Sequence, residues 1–153
     1  MKKITPERLK NIALFYLERY EASSEKLRIV LKRRLIKAKL EAPIPIEANK
    51  WIEDVIQEMQ RLNYINDTRY AENTTKRLLG TGKSFSYIRS KLKLEGIKEK
   101  EIQSLLMKTD ELEQAKLMIQ KKHMGKDFSK DLARLARAGF PYEIARKALE
   151  KAD

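Results

Sequence analysis

Apolar residues fall in short stripes at helical spacing along the whole chain, and each stripe is closed by a polar cap, a proline or a glycine. Thr5 caps a first helix that Pro6 starts, and Leu9, Ile12, Ala13, Tyr16, Leu17 and Tyr20 share its inner face. Ser23 or Ser24 caps a second helix with Leu27, Val30, Leu31 and Leu35 inward, and Pro43 and Pro45 stop any helix beyond it. A third carries Trp51, Ile52, Val55, Ile56, Met59 and Leu62, with Trp51 expected in the core, joining the first unit to the second. Asn63, which tolerates the left-handed conformation, ends it. Asn66 or Asp67 caps a fourth helix holding Tyr70, Ala71, Thr74, Leu78 and Leu79, which Gly80 and Gly82 break. Ser84 or Ser86 starts a fifth with Phe85, Ile88 and Leu92 inward; Gly96 closes it and Ile97 plugs the turn. A sixth holds Ile102, Leu105 and Leu106. Asp110 caps a seventh, with Ala115, Met118 and Ile119, ended by Gly125. An eighth holds Leu132, Leu135 and Ala136 and ends at Gly139; Phe140 plugs that turn, and Pro141 starts a ninth with Ile144, Ala145, Ala148 and Leu149. Nowhere do β-branched residues alternate with polar ones over a useful length, so the fold class is all-α.

The stripes also repeat. Ala71, Ser84, Leu92, Gly96, Ile97 and Leu106 are answered by Ala115, Asp127, Leu135, Gly139, Phe140 and Leu149, with no gap between Leu92 and Leu106 or between Leu135 and Leu149. Ala13, Ser23, Leu31, Leu35 and Ile36 form a looser first copy. This periodicity predicts three tandem three-helix repeats, 1–63, 64–108 and 109–153, in an elongated monomer. Modules of this kind offer a binding surface more readily than an enzyme pocket.

Charge sharpens that reading. The 153 residues include 34 basic and 22 acidic ones, a net charge of +12 that attracts polyanions, nucleic acid first among them. The cations lie in three tracts without an acidic residue. Lys26 to Leu40 carries Lys26, Arg28, Lys32, Arg33, Arg34, Lys37 and Lys39. Lys76 to Leu94 carries Lys76, Arg77, Lys83, Arg89, Lys91 and Lys93, and Gln114 to Lys126 carries Lys116, Lys121, Lys122 and Lys126, extended by Arg134 and Arg137. If the repeats stack in register, the tracts form a stripe that follows a phosphate backbone. Base-specific readout is not indicated, because no Asn, Gln and Arg cluster sits at helix-turn-helix spacing. The few aromatics fall mostly at core-facing positions, which leaves stacking platforms scarce.

Catalytic chemistry finds little footing. His123 is the single histidine, there is no cysteine, and no nucleophile–base constellation occurs, so neither an enzyme nor a metal or cofactor site is expected. Glu53 and Asp54 are read as solvent-facing. Gly80-Thr81-Gly82-Lys83-Ser84 has the tail of a phosphate loop but follows a helix, not a strand; its glycines read as a hinge freeing a helix end that can hold a phosphate. With no apolar run near the roughly 18 residues of a membrane span and no apolar leader, a cytoplasmic protein is expected.

The stretch Asn63-Tyr64-Ile65-Asn66-Asp67-Thr68-Arg69-Tyr70-Ala71 resembles a signature of the RecX regulatory family, with Asn63 where a glycine is usual. Arg77, Gly82, Ile88, Leu92 and Gly96-Ile97 match a second element of that family, Ala13-Leu14, Tyr16-Leu17, Arg19, Ser23 and Leu27 its opening, and Gly139-Phe140-Pro141-Tyr142 its close. The resemblance implies a modulator of the RecA recombinase. Such proteins lie as three three-helix repeats in the groove of the RecA filament on single-stranded DNA. They restrain its growth, strand exchange, ATP hydrolysis and stimulated repressor cleavage, and so act in recombination, DNA repair and the SOS response. Single-stranded DNA, and double-stranded DNA beside it, are the implied nucleic acids. Placed against that partner, the basic tracts nominate Lys32, Arg33, Arg34, Arg77, Lys83, Arg89, Lys91, Lys93, Lys121, Lys122, Arg134 and Arg137 as contact residues. Tyr64, Ile65, Asp67, Tyr70 and Ala71 are assigned to packing and capping. The competing reading is a general basic helical module that binds nucleic acid with no protein partner.

Overall fold

A computed structural model of the chain describes residues 3–150 and, among them, contains nine α-helices and no strand. In order these are α1 (Pro6–Arg19), α2 (Ser24–Lys39), α3 (Ala48–Arg61), α4 (Asp67–Gly80), α5 (Phe85–Leu94), α6 (Glu99–Leu106), α7 (Glu111–Lys121), α8 (Phe128–Arg137) and α9 (Tyr142–Glu150). The chain divides into two compact units, Met1–Tyr70 and Ala71–Asp153, with the boundary inside α4.

In the first unit Leu9 and Ala13 of α1, Leu27, Leu31 and Leu35 of α2, and Ile52, Val55, Ile56 and Met59 of α3 close one core, which Ile65 completes. Trp51 is half-buried and packs against this core from its rim, not within it. In the second unit Ala71, Leu78, Ile88, Leu92, Ile97, Ile102 and Leu106 make one cluster from α4 to α6. Ala115, Ile119, Leu135, Phe140, Ala145, Ala148 and Leu149 make another from α7 to α9. Ala136, expected inward on α8, is exposed.

The repeated small polar residue is a helix cap. Ser23, Ser84 and Asp127 accept hydrogen bonds from the backbone N–H groups of Lys26 (3.1 Å), Tyr87 (3.1 Å) and Lys130 (3.2 Å), at the starts of α2, α5 and α8. Asn66 does the same for α4 through the Arg69 N–H at 3.0 Å. Asp67 therefore caps nothing of its own helix; its carboxylate accepts the Ser24 N–H at 2.7 Å and ties α4 to the start of α2.

The exits are as regular as the starts. Tyr64, Lys83, Ile97, Met124 and Phe140 each donate a backbone hydrogen bond to the carbonyl five residues back, on Met59, Leu78, Leu92, Ile119 and Leu135. The residue before each donor has positive φ: Asn63, Gly82, Gly96, His123 and Gly139. This is one helix-closing motif used five times. It corrects the expectation for α7, which His123 closes at φ 54°, two residues before Gly125. It also removes the hinge. Gly82 is buried, and a Cβ on it would lie 3.2 Å from the backbone of Met118. Nearby, Gln114 donates to the Leu79 carbonyl at 2.7 Å. The start of α5 is likewise closed to a phosphate, because Ser84 is buried as its cap and donates its hydroxyl to the Ala138 carbonyl at 2.7 Å.

Candidate nucleic-acid interface

On α2 the leucines at 27, 31 and 35 bury one side of the helix, so the three positions between Leu31 and Leu35 project to the other. These are Lys32, Arg33 and Arg34, all exposed. Among the described residues Arg33 and Arg34 make no ion pair, and Lys32 acts only at longer range, lowering the proton affinity of Glu53. Arg28, one turn earlier, is not available in this way. Its Nε and Nη2 donate to the two oxygens of Glu53 on α3 at 2.7 and 3.0 Å, and Glu25 takes another of its N–H groups. The Arg28 hydrogen bonds hold the Glu53 carboxyl below the usual carboxylate range, and the pairing drives the guanidinium further into its charged form. Glu53 thus buttresses α2 against α3 and does not face solvent as an idle acid.

The middle tract behaves differently. Arg89 and Lys93, four residues apart on α5, both reach Glu99 at the start of α6: Arg89 Nε to Oε1 at 2.7 Å, Lys93 Nζ to Oε2 at 2.9 Å. The hydrogen bond from Lys93, and then that from Arg89, keeps the Glu99 carboxyl below its ordinary range. Lys91 lies 3.5 Å from the nearly buried Glu95. Lys83 sits over the ring of Tyr87, 4.8 Å from its centroid. Arg77, on α4, is exposed and makes no ion pair among the described residues.

In the third tract Lys121 and Lys122 are exposed at the end of α7, and Arg137 is exposed at the end of α8. Arg134 faces the buried Asp131 at 3.7 Å, whose other oxygen accepts the Gly125 N–H at 2.7 Å. Apart from Lys83, the nominated cations thus fall into two kinds. Lys32, Arg33, Arg34, Arg77, Lys121, Lys122 and Arg137 stand out into solvent, whereas Arg89, Lys91, Lys93 and Arg134 already have carboxylate partners in the fold.

Large aromatic side chains are the feature that pattern reading missed. Phe15, Tyr20, Tyr64, Tyr87, Phe128 and Tyr142 are exposed, against the expectation that aromatics face the core. Tyr64 accordingly leaves the packing role assigned to it, while Ile65, Tyr70 and Ala71 are buried as assigned. Phe15 was legible: it lies off the stripe of α1. Tyr20 was not, because it is the C-cap residue in extended backbone, where helical phase no longer sets its direction. Among the described residues no three His, Asp or Glu side chains are grouped to hold a metal ion, and no helix is long and apolar enough to cross a membrane.

The chain is similar over nearly its whole length to proteins described as regulatory protein RecX. The one from Myxococcus xanthus is 32% identical, covering 97% of this chain and 88% of that protein. The one from Agrobacterium fabrum is 26% identical, covering 92% and 80%. In fold it is similar to the crystal structure of RecX from Lactobacillus salivarius, with a TM-score of 0.70, 20% identity and 95% of both chains covered. A further crystal structure of regulatory protein RecX superposes with a TM-score of 0.58 at 18% identity, over 96% of this chain and 64% of that one. No protein-family model matches the chain.

Proposed function

The chain belongs to the RecX family of regulatory proteins, and from that premise we propose that it binds the filament RecA forms on single-stranded DNA and restrains it. The observation that carries this reading is the 32% identity to a regulatory protein RecX along 97% of the chain. The net charge of +12 and the solvent-facing cations of α2, α4, α7 and α8 support it, since a filament on DNA offers phosphates to which such side chains bind with release of counterions. In this reading the protein is a cytoplasmic, non-enzymatic monomer of three three-helix repeats, 1–63, 64–108 and 109–153, that acts in recombination, DNA repair and the SOS response. Its contacts are drawn from the twelve nominated cations. Lys32, Arg33 and Arg34 lead, because no ion pair among the described residues competes for the two arginines.

The second reading, nucleic-acid binding without a protein partner, is favoured by one observation: exposed aromatic rings stand near solvent-facing arginines on α1 and α2. RecA ATPase on single-stranded DNA, with this protein titrated in, separates the two. The proposed function predicts a fall in hydrolysis as protein is added. Unchanged hydrolysis at protein concentrations that saturate naked single-stranded DNA would transfer the case to the second reading.

A further inference from the structure

Between α1 and α2 the first unit carries a groove of about 390 Å³ whose walls are aromatic and cationic at once. Phe15, Tyr16 and Tyr20 come from α1 and its cap, Arg19 from the last turn of α1, and Arg33 and Arg34 from α2. Ile12 and Val30 add apolar lining. Tyr16 packs against the core, but the other two rings do not belong to it: Phe15 is 57% and Tyr20 56% exposed. The Arg19 guanidinium lies over the Phe15 ring, 4.3 Å from its centroid, and the Tyr16 and Tyr20 rings are 4.9 Å apart, tilted by 38°. None of the three arginines has an ion pair among the described residues. Phe15, Ile12 and Arg34 also line a second groove, of about 600 Å³, so the two are continuous along α1. That second groove is lined by Arg8, whose Nε is buried without a hydrogen-bond partner, and by one acid, Glu7.

We propose that this groove is a binding site for single-stranded nucleic acid, with unpaired bases stacked on Phe15 and Tyr20 and the phosphates between them held by Arg19, Arg33 and Arg34. Aromatic faces take a base only when it is not already stacked in a duplex, and they accept any base because every base has a π face. Guanidinium groups beside the rings then meet the backbone as it passes from one base to the next, and the Phe15 ring holds Arg19 in place for this through cation–π attraction. The fourteen residues of α1 span roughly 21 Å, room for a few nucleotides. An acidic polypeptide would satisfy the arginines but would leave the rings without partners of matching shape.

This inference rests on the nucleic-acid part of the proposed function and adds Phe15, Tyr20 and Arg19 to the Arg33 and Arg34 already named there. Its test omits recombinase, so that failure here leaves the ATPase result standing. Fluorescence anisotropy of the full chain is measured with labelled dT12, an abasic 12-mer of the same charge, a 12-base-pair duplex and polyglutamate as competitor. The variants are Phe15→Ala/Tyr20→Ala, Phe15→Leu/Tyr20→Leu, which keeps apolar bulk but removes the π faces, and Arg33→Gln/Arg34→Gln. Wild type should bind dT12 more tightly than the abasic strand or the duplex. Each ring variant should lose about tenfold or more on dT12 and nothing on the abasic strand, with helicity unchanged by circular dichroism. The arginine variant should lose on both strands and show a shallower salt dependence. Equal loss on dT12 and the abasic strand, no loss at all, or equal affinity for duplex and dT12 would overturn the site. Ring-dependent binding of polyglutamate with dT12 binding unaffected would overturn it in favour of an acidic protein segment.

Discussion

Helices α2 and α5 carry the same message in sequence, a basic run without one acid, and opposite ones in the fold. On α2 the cations between the buried leucines point to solvent, and the only arginine drawn inward, Arg28, is held by Glu53 from the neighbouring helix. On α5 all three cations have a carboxylate partner: Glu99 serves both Arg89 and Lys93, and Glu95 serves Lys91. The ends differ as well. α5 is capped by a buried serine tied to the Ala138 carbonyl and closed by Gly96 in a left-handed turn, whereas α2 runs out through Leu40 with no such lock. A basic tract therefore says where positive charge is made, not where it is free. What frees it is that the acids of the neighbouring element lie out of its reach, as Glu53 of α3 meets Arg28 but not Arg33 or Arg34, and the tract itself does not contain that information.

The largest effect that would sharpen this contrast lies in what fixes α5. A Cβ on Gly139 would stand 2.6 Å from Ser84 Oγ and 3.2 Å from Ser86 Cβ, at a backbone φ of +105°. Gly139→Ala should lower stability by about 2–3 kcal/mol in urea melts, through strain in the left-handed turn and displacement of the α5 cap. Ser84→Ala, which removes the cap and leaves the Ala138 carbonyl without its donor, should cost about 1–2 kcal/mol. Gly80 is the control: it is helical, nothing lies within 4 Å of its missing Cβ, and Gly80→Ala should leave stability unchanged or raise it by up to about 1 kcal/mol. Equal behaviour of the Gly139 and Gly80 variants would mean that the tie between Ser84 and Ala138 holds nothing.

The next effect is on binding. Replacing Arg33 and Arg34 by Gln removes two solvent-facing cations without touching the leucine face. Affinity for single-stranded DNA should fall about fivefold to thirtyfold, equivalent to about 1–2 kcal/mol. The log–log salt slope should flatten by about 1.4, at about 0.7 for each phosphate no longer neutralised. Arg89→Gln/Lys93→Gln should change both by much less, because those head groups are shared with Glu99. Equal weakening by the two pairs would break the distinction between free and committed cations.

Local chemistry was legible from sequence; pairing across a turn was not. The caps at Thr5, Ser23, Ser84 and Asp110, the exits at Asn63, Gly96 and Gly139, and the plugs Ile97 and Phe140 each depend on fewer than six neighbouring residues, so composition and spacing suffice. Arg28 with Glu53 is a contact over 25 positions, and Arg89 with Glu99 one over ten that needs the Gly96 turn to bring α6 back to α5. The exit at His123 was not legible because Gly125 two residues on is the commoner left-handed closer, although any residue at the closing position must take positive φ if the motif forms. Of the candidate interface, the cations could be named and their freedom could not. Of the rings beside them, Phe15 lies off the helical stripe, whereas Tyr20 is placed inward by a helical phase that stops applying at the cap.

The smallest effect comes from the acid itself. Glu99→Gln removes the charge that Arg89 and Lys93 share while keeping a hydrogen-bonding side chain of the same size. Both cations would then be free in the sense that Arg33 and Arg34 are, and affinity for single-stranded DNA should rise about twofold to threefold, with a salt slope steeper by as much as about 1.4. The pH dependence has a definite sign. The folded-state pKa of Glu99 is lowered by Lys93 and Arg89, so its contribution to stability is fully present above the unfolded value of about 4.3 and is lost as pH falls through the lower folded value. Between pH 7 and 5, then, any difference in melting temperature between wild type and Glu99→Gln should be constant, and it should fade only below about pH 4.3. A difference that already shrinks between pH 7 and 5 would mean that the carboxyl is not held in its charged form. In that case α5 would present its cations as openly as α2 does, and the two tracts would contribute to binding alike.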